Sequence, residues 1–438
     1  MPALSRPDSL TWSGQSSLNS SRPTTPDGES EGGYALPLSL DFENVVLVIG
    51  GLGFIGSHTA LELLKAGYNV SIVDDLSNSF KVAFGRIKEL ALKHHSSRGT
   101  KMPSLQLHML DYRSRGMRDV LDLYSVPSQK STAAAVPHNA RRSRISGVIH
   151  FAAFKSVSES ISRPVQYYQN NVCGLVDLVS LLGEHNIRNL VFSSSATVYG
   201  CKADLGRPLR EEDLVHPEAY VDDNGLEITP ESFASLQSPY ARTKFFCEAI
   251  LADVARSDSS WRITCLRYFN PIGCDASGLL GEDPKGTPTN LFPVITQVLA
   301  GARKELDVFG SDWDTRDGTP VRDYVHVSDV ARGHVAALAT EAKEPFRTYN
   351  LGSGTGTTVA EAVRSLERAS KRSIPVRLAD RREGDVGSCV ASNERAFREL
   401  GWEARESVSQ CAEDLWNFVS KVQAPGTLQP ERKAASPV

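Results

Sequence analysis

Apolar runs without polar interruption recur through the middle of this chain. The first, VVLVIG from Val45, leads into a glycine-rich turn, GGLGFIG, and then into SHTALELLKAGYNV. Leu61, Leu63, Leu64 and the closing Gly67 predict a helix there that stops at a glycine. NVSIVDD predicts a second strand ending in carboxylates at Asp74 and Asp75. Further strands are predicted at Leu105 to Asp111, Gly147 to Ala153, Asn189 to Ser195 and Ile263 to Asn270, separated by helical segments. Unbroken apolar strands that alternate with helices imply an α/β fold whose parallel sheet is covered on both faces.

The rhythm fails in four places. Residues 1–43 are rich in Ser, Pro, Gly and Thr and predict a disordered extension. Residues 126–144 and 202–237 are too polar or too proline-interrupted for core and predict surface insertions. The first of these carries a basic cluster, Arg141, Arg142 and Arg144, which reads as a solvated loop. After Asn270 the pattern turns irregular, so residues 44–270 predict a doubly wound, Rossmann-type domain, 271–420 a smaller α/β lobe with some segments returning to the first, and 421–438 a tail.

Composition narrows the class. Apolar content of 40% over 438 residues is enough for a sizeable core, and a formal net charge of −4 offers no basic footprint for nucleic acid or a membrane surface. Seven scattered cysteines, with no C-x-x-C pair, argue against a disulfide framework and against a zinc site. Without an apolar leader or a spanning run, the expectation is a cytoplasmic protein.

Two patterns carry chemistry. Gly50, Gly53 and Gly56 follow a predicted strand and open a helix, so that backbone can approach a pyrophosphate and the helix can pack closely on the sheet. Asp74, at the end of the second strand, can accept hydrogen bonds from ribose hydroxyls and would repel the extra phosphate of NADP. The cofactor expected is NAD. Downstream, Tyr240 and Lys244 stand four apart in SPYARTK, on one face of a helix, after the serine run that ends at Ser195. A neighbouring ammonium, helped by a cationic nicotinamide, would favour the phenolate and let the tyrosine act as a base.

With FSSSATVYG, SPYARTK and LRYFNPIG in that order, the chain resembles the UDP-glucose 4-epimerases of the extended short-chain dehydrogenase/reductase superfamily. VIHFAAFKSVSESISRPVQYYQNNV, DVFGSDWDTRDGTPVRDYVHVSDVARGH and RREGDV extend the likeness over roughly 44–418, outside the insertions. The resemblance implies that Tyr240 is the base and acid, Lys244 its electrostatic partner and a ribose contact, and Ser195 a donor near the sugar hydroxyl. The implied NAD contacts are Gly53, Phe54 and Ile55 in the turn, Asp74, Asp75, Leu76, Ser77 and Asn78 after the second strand, Asp111 and Tyr112 after the third, and Phe151, Lys155, Asn171 and Tyr268 beyond.

For the UDP-sugar, the resemblance implies Lys155, Ser195, Ala196, Thr197, Tyr240, Tyr268, Phe269 and Asn270. In the second lobe it adds Thr289, Asn290, Leu291, Asp307, Val308, Phe309 and Arg322, then Arg382, Glu383, Gly384, Asp385 and Cys389. Arg322 and Arg382 could neutralise a diphosphate, Phe309 could face uracil, and a small Cys389 would leave room for an N-acetylated sugar. The implied reaction interconverts UDP-glucose and UDP-galactose through a 4-keto sugar, in a homodimer paired through a helix bundle.

Three positions depart from the family pattern: Ile49 stands for a usual threonine, Asp75 for asparagine and Ala153 for glycine. Other nucleotide-sugar enzymes of the superfamily, dehydratases and decarboxylases, would share the fold, but Ala196, Thr197 and Val198 stand where dehydratases usually carry an acidic pair. A non-catalytic NAD or UDP-sugar sensor would have no use for the intact Ser195, Tyr240 and Lys244.

Overall fold

The first strand, β1 (Val45–Ile49), is buried at all five positions, which is why its sequence is apolar on both faces rather than alternating. The computed structural model describes residues 43–127, 141–204, 206–214, 220–221, 227–228, 236, 238–286, 288, 290–341, 344–382 and 385–422. The N-terminal extension, most of both predicted insertions, Thr289, Glu383, Gly384 and the tail beyond Val422 lie outside these residues.

With β2 (Asn69–Asp74), β3 (Leu105–Met109), β4 (Ile145–His150), β5 (Asn189–Ser195), β6 (Arg262–Tyr268) and β7 (Phe346–Leu351), β1 forms one seven-stranded sheet in the order β7-β6-β5-β4-β1-β2-β3. Every pairing in it is parallel. The strand order reverses between β1 and β4, and the crevice outside their C-terminal ends is where such sheets take ligands. All six strands predicted from the apolar runs are present, with ends moved by at most three residues. The seventh, β7, comes from late in the chain and pairs with β6 at the edge of the sheet.

Helix α1 (Phe54–Lys65) follows β1, and its buried Ala60, Leu61, Leu63 and Leu64 join the core on one face of the sheet. Gly67, at φ +93°, ends it in a conformation that an L side chain rarely adopts. On the other face lies α2 (Pro239–Ser257), which packs Cys247, Leu251 and Ala255 into a second core cluster. Its start is set by Ser238, whose hydroxyl accepts from Ala241 N at 3.2 Å, and by Pro239 at the first helical position. A third cluster of buried residues gathers Phe292, Ile295, Leu366, Leu415 and Phe418 from the later part of the chain.

The polar stretch from 202 is not all surface. Leu209 and Glu211 are buried, and Leu209 N donates to Val390 O while Ser392 N donates to Leu209 O, so residues 209–214 belong to the body of the protein. Net polarity hid this because Glu211 is satisfied by protein, accepting from Asn350 N at 2.8 Å. The helix Val408–Val422 also runs slightly past the predicted start of the tail. In the basic cluster, Arg142 pairs with Glu43 at 2.7 Å.

Candidate active site

Helix α2 and strand β5 bring the predicted chemistry together. Ser195 closes β5, Tyr240 stands in the first turn of α2, and Lys244 follows one turn later. The Ser195 hydroxyl lies near enough to the Tyr240 phenol to influence it, and Ser195 Oγ accepts from Thr197 N at 3.2 Å and Thr197 Oγ1 at 3.0 Å. Lys244 is 3% exposed; its Nζ donates to Ser193 O at 2.5 Å and lies 4.8 Å from the Phe192 ring centre.

The electrostatics differ from the sequence expectation. Tyr240 is half-buried as a residue, but its phenol group lies deep in protein, and that burial pushes it up to about 12 against a smaller opposing effect of the Ser195 hydroxyl. Burial likewise lowers Lys244 to about 8. In the protein alone, desolvation therefore outweighs any help from the lysine, whose hydrogen bond is spent on the Ser193 carbonyl. A cation placed in the crevice is what would favour the phenolate.

The glycine turn is built around its neighbours. A Cβ on Gly56 would stand 2.3 Å from Gly50 O, and Gly50 itself has φ +76° with Ala152 N 2.7 Å from where its Cβ would be. Gly53 is different: its Cβ would meet only Gly50 O, at 3.4 Å, so the space in front of it is open. Phe54 and Ile55 start α1, whose N-terminal N–H groups have no side-chain cap. Asp74 is buried and accepts from Leu52 N at 2.9 Å, Leu76 N at 2.9 Å and Ser79 Oγ at 2.7 Å. The carboxylate thus orients both loops and keeps about one of its four acceptor positions for a ligand.

Other predicted contacts fall around this crevice with partners of their own. Asp75, Ser77 and Asn78 are exposed, and Asp75 accepts from Ser77 N at 2.9 Å. Asp111 is forked by Arg113, while Tyr112 is buried and donates to Asn170 O at 2.6 Å. Asn171 holds Phe154 through both its backbone groups and reaches Thr243 of α2 at 3.0 Å. Phe151 packs against His334, and Lys155 pairs with Glu282 at 2.8 Å. Tyr268 donates to Ser193 Oγ, tying β6 to β5 below the site.

In the second lobe, Arg322 is already paired with Asp385 at 2.8 Å, and Arg382 lies 4.5 Å over the Phe309 ring. Asp307 pairs with Arg377 at 2.6 Å, and Val308 is turned into the core, so neither presents a free side chain. Phe269 is buried, Asn270 donates to Asp323 O at 3.0 Å, and Asn290 precedes the helix that starts at Leu291. Ala196 and Thr197 are half-buried beside Ser195, and Cys389 pairs with Arg322 in a short strand.

Sequence reasoning missed what supports these groups. Glu248 lies one turn beyond Lys244 on α2 and meets Arg267 of β6 at 2.6 Å, with neither side chain exposed. Ser194 Oγ donates to Glu248, and Arg267 also reaches Tyr199 Oη at 3.1 Å and Leu214 O at 3.0 Å. The i, i+4, i+8 spacing of Tyr240, Lys244 and Glu248 was the available signal. Asp323 was missed as well: buried, it accepts from Ser353, Gly354 and Ala391 backbone N–H groups and so fixes the strand that carries Arg322.

The model of the family described as "NAD dependent epimerase/dehydratase family" matches residues 46–352, which include the glycine turn, Ser195, Tyr240 and Lys244. The chain belongs to that family. A UDP-glucose 4-epimerase 2 of Arabidopsis thaliana is 42% identical over 377 residues, covering 86% of this chain and 95% of that protein. The UDP-glucose 4-epimerase of Homo sapiens is 40% identical over 375 residues, 85% of this chain and 95% of the other. Among solved structures, UDP-glucose 4-epimerase from Bifidobacterium longum in complex with NAD+ and UDP is 38% identical, with a TM-score of 0.70 over 88% of this chain and 100% of that one. The family's dinucleotide fits the crevice: open space before Gly53, an uncapped helix N-terminus for a diphosphate, and Asp74 at the strand end for a ribose.

Proposed function

We propose that this protein interconverts UDP-glucose and UDP-galactose by inverting C4 of the sugar through a 4-keto sugar, with NAD as the retained cofactor. The meeting of Tyr240, Ser195 and Lys244 at the C-terminal edge of the sheet, beside the glycine crevice, carries this reading. Relatives at about 40% identity over most of the chain are UDP-glucose 4-epimerases, which supports it over a dehydratase or a sensor.

In this reading Tyr240 Oη takes the proton of the sugar 4-hydroxyl and later returns it. Ser195 Oγ, held by Thr197, orients that hydroxyl and the phenol. Lys244 keeps a positive charge one helical turn from the phenolate. NAD bound in the crevice supplies the reversible acceptor for the hydrogen and electron pair that leave C4. Arg322 and Arg382, released from Asp385, would neutralise the diphosphate and anchor the nucleotide while the sugar turns. The half-buried Cys389 leaves room for an N-acetyl group, so UDP-N-acetylhexoses belong to the proposed substrate range.

The reading includes a homodimer in the cytoplasm. Ile161, Val165 and Val176 are 64%, 65% and 45% exposed along Val157–Ser162 and the helical run Pro164–Glu184, an apolar face suited to a second copy. Seven free thiols suit a reducing compartment. No helix among the described residues is long and apolar enough to cross a membrane.

The test is incubation of purified protein with UDP-galactose, with and without added NAD+, and separation of the UDP-hexoses. Formation of UDP-glucose is expected; none in either case would sink the proposal. Sedimentation of Val165→Glu beside the wild type checks the dimer, which predicts a shift to monomer.

A further inference from the structure

Residues 282–285 lie across the crevice from the side of the second lobe. At one end Glu282 Oε1 pairs with Lys155 Nζ at 2.8 Å, on the loop after β4. At the other, Lys285 Nζ donates to Leu76 O at 2.6 Å and Lys285 N donates to Asn78 Oδ1 at 3.1 Å, both on the loop after β2. The Lys285 ammonium also lies 5.3 Å from the Phe80 ring centre. Strands β4 and β2 flank β1 on its two sides, so these loops are the two banks of the glycine turn. Two strand spacings come to roughly 10 Å, and three residues of extended chain span about the same distance.

The base of this segment is fixed. Asn417 Nδ2 donates to Ala276 O at 3.0 Å, Lys421 Nζ donates to Ser277 O, and Asp275 N donates to Leu280 O at 3.0 Å. The tip, by contrast, is held to the banks by the Glu282 and Lys285 contacts, near the surface: Lys155 is 48% exposed in its pair and Lys285 is exposed. One bank carries Asp74 to Asn78 and the other carries Phe151 to Lys155, the groups placed around the dinucleotide. A fixed base with a tip bound to both banks has the layout of a strap.

We propose that residues 282–285 strap the dinucleotide crevice shut, with Glu282 and Lys285 as clasps that set how fast NAD leaves. This rests on NAD occupying the crevice. Leu76, at φ +58°, stands in the left-handed region, and Lys285 holds the carbonyl of that residue. Removing the ammonium therefore frees a loop whose backbone geometry is costly to keep. Lys285 and Glu282 act on retention and touch no reacting atom.

The experiment loads full-length protein with radiolabelled NAD+, adds excess unlabelled NAD+ and follows release by rapid filtration. Lys285→Met is expected to speed release about tenfold, the range of one hydrogen bond from a charged donor, and Glu282→Gln about threefold, as for a partly exposed ion pair. Lys285→Arg, which keeps the cation, is expected to release NAD within about twofold of wild type. Release from Lys285→Met at the wild-type rate would overturn the strap. So would equally fast release from Lys285→Arg, since disruption at that position and not loss of the clasp would then be the cause. Wild-type protein that neither carries NAD as purified nor takes it up would overturn the proposed function instead, a result distinct from unaltered release in the variants.

Discussion

Lys244 donates to the Ser193 carbonyl at 2.5 Å, which ties the first turns of the helix bearing Tyr240 to the strand bearing Ser195. The bond sits in a site where burial has lowered the lysine to about 8. Position and charge are therefore in tension, and the tension has a pH signature.

A lysine lowered from 10.5 to about 8 on folding means that the unfolded chain binds more protons between those values. Stability must then rise as pH climbs from 8 to 10.5, by up to about 3 kcal/mol from this residue. Urea unfolding at pH 8, 9 and 10 should show the rise in wild type and a flatter profile in Lys244→Met. Parallel profiles would show that the ammonium is not buried at a cost.

Replacing Tyr240 by Phe keeps the ring and removes the proton carrier. Conversion of UDP-galactose should fall by about 10²–10⁴-fold. A variant that retains a tenth of wild-type turnover would move the base elsewhere.

The glycines of the turn should respond differently. Gly56→Ala drives a methyl to 2.3 Å from Gly50 O, so the helix must move off the sheet, and both thermal stability and NAD binding should drop. Gly53→Ala meets only Gly50 O at 3.4 Å, so melting temperature should hold while NAD affinity falls, because the methyl projects where a diphosphate would approach. Equal melting losses in the two variants would contradict this division.

The Glu248–Arg267 pair is fully buried, and Arg267→Met leaves a carboxylate without its fork. A loss of about 3–5 kcal/mol is expected, with partial recovery in the Arg267→Met/Glu248→Met double variant. A double variant no better than the single would mean that Ser194, Tyr199 and Leu214 contacts, and not the uncompensated charge, dominate the cost.

Much of the candidate site was legible because it is local. A glycine turn between an apolar strand and a helix, an aspartate at the next strand end, and a tyrosine and lysine one helical turn apart are patterns within short windows. Arg322 and Asp307 show the limit: the family resemblance implied nucleotide-sugar contacts for both, but it could not show that Asp385 and Arg377 pair with them. The buried role of residues 209–214 was hidden for a related reason, because Glu211 is polar in sequence and satisfied by the distant Asn350.

The sequence by itself determined the parallel α/β architecture, the place of the nucleotide crevice and the identity of the hydroxyl, phenol and ammonium, since periodicity and i, i+4 spacing are properties of neighbouring residues. Only the tertiary structure decided that Glu248 and Arg267 brace the site, that burial rather than Lys244 governs the Tyr240 phenol in the protein alone, and that Glu282 and Lys285 reach both banks of the crevice. Each of these depends on groups from distant parts of the chain meeting in low-dielectric surroundings, and desolvation and long-range pairing leave no periodic trace in a sequence.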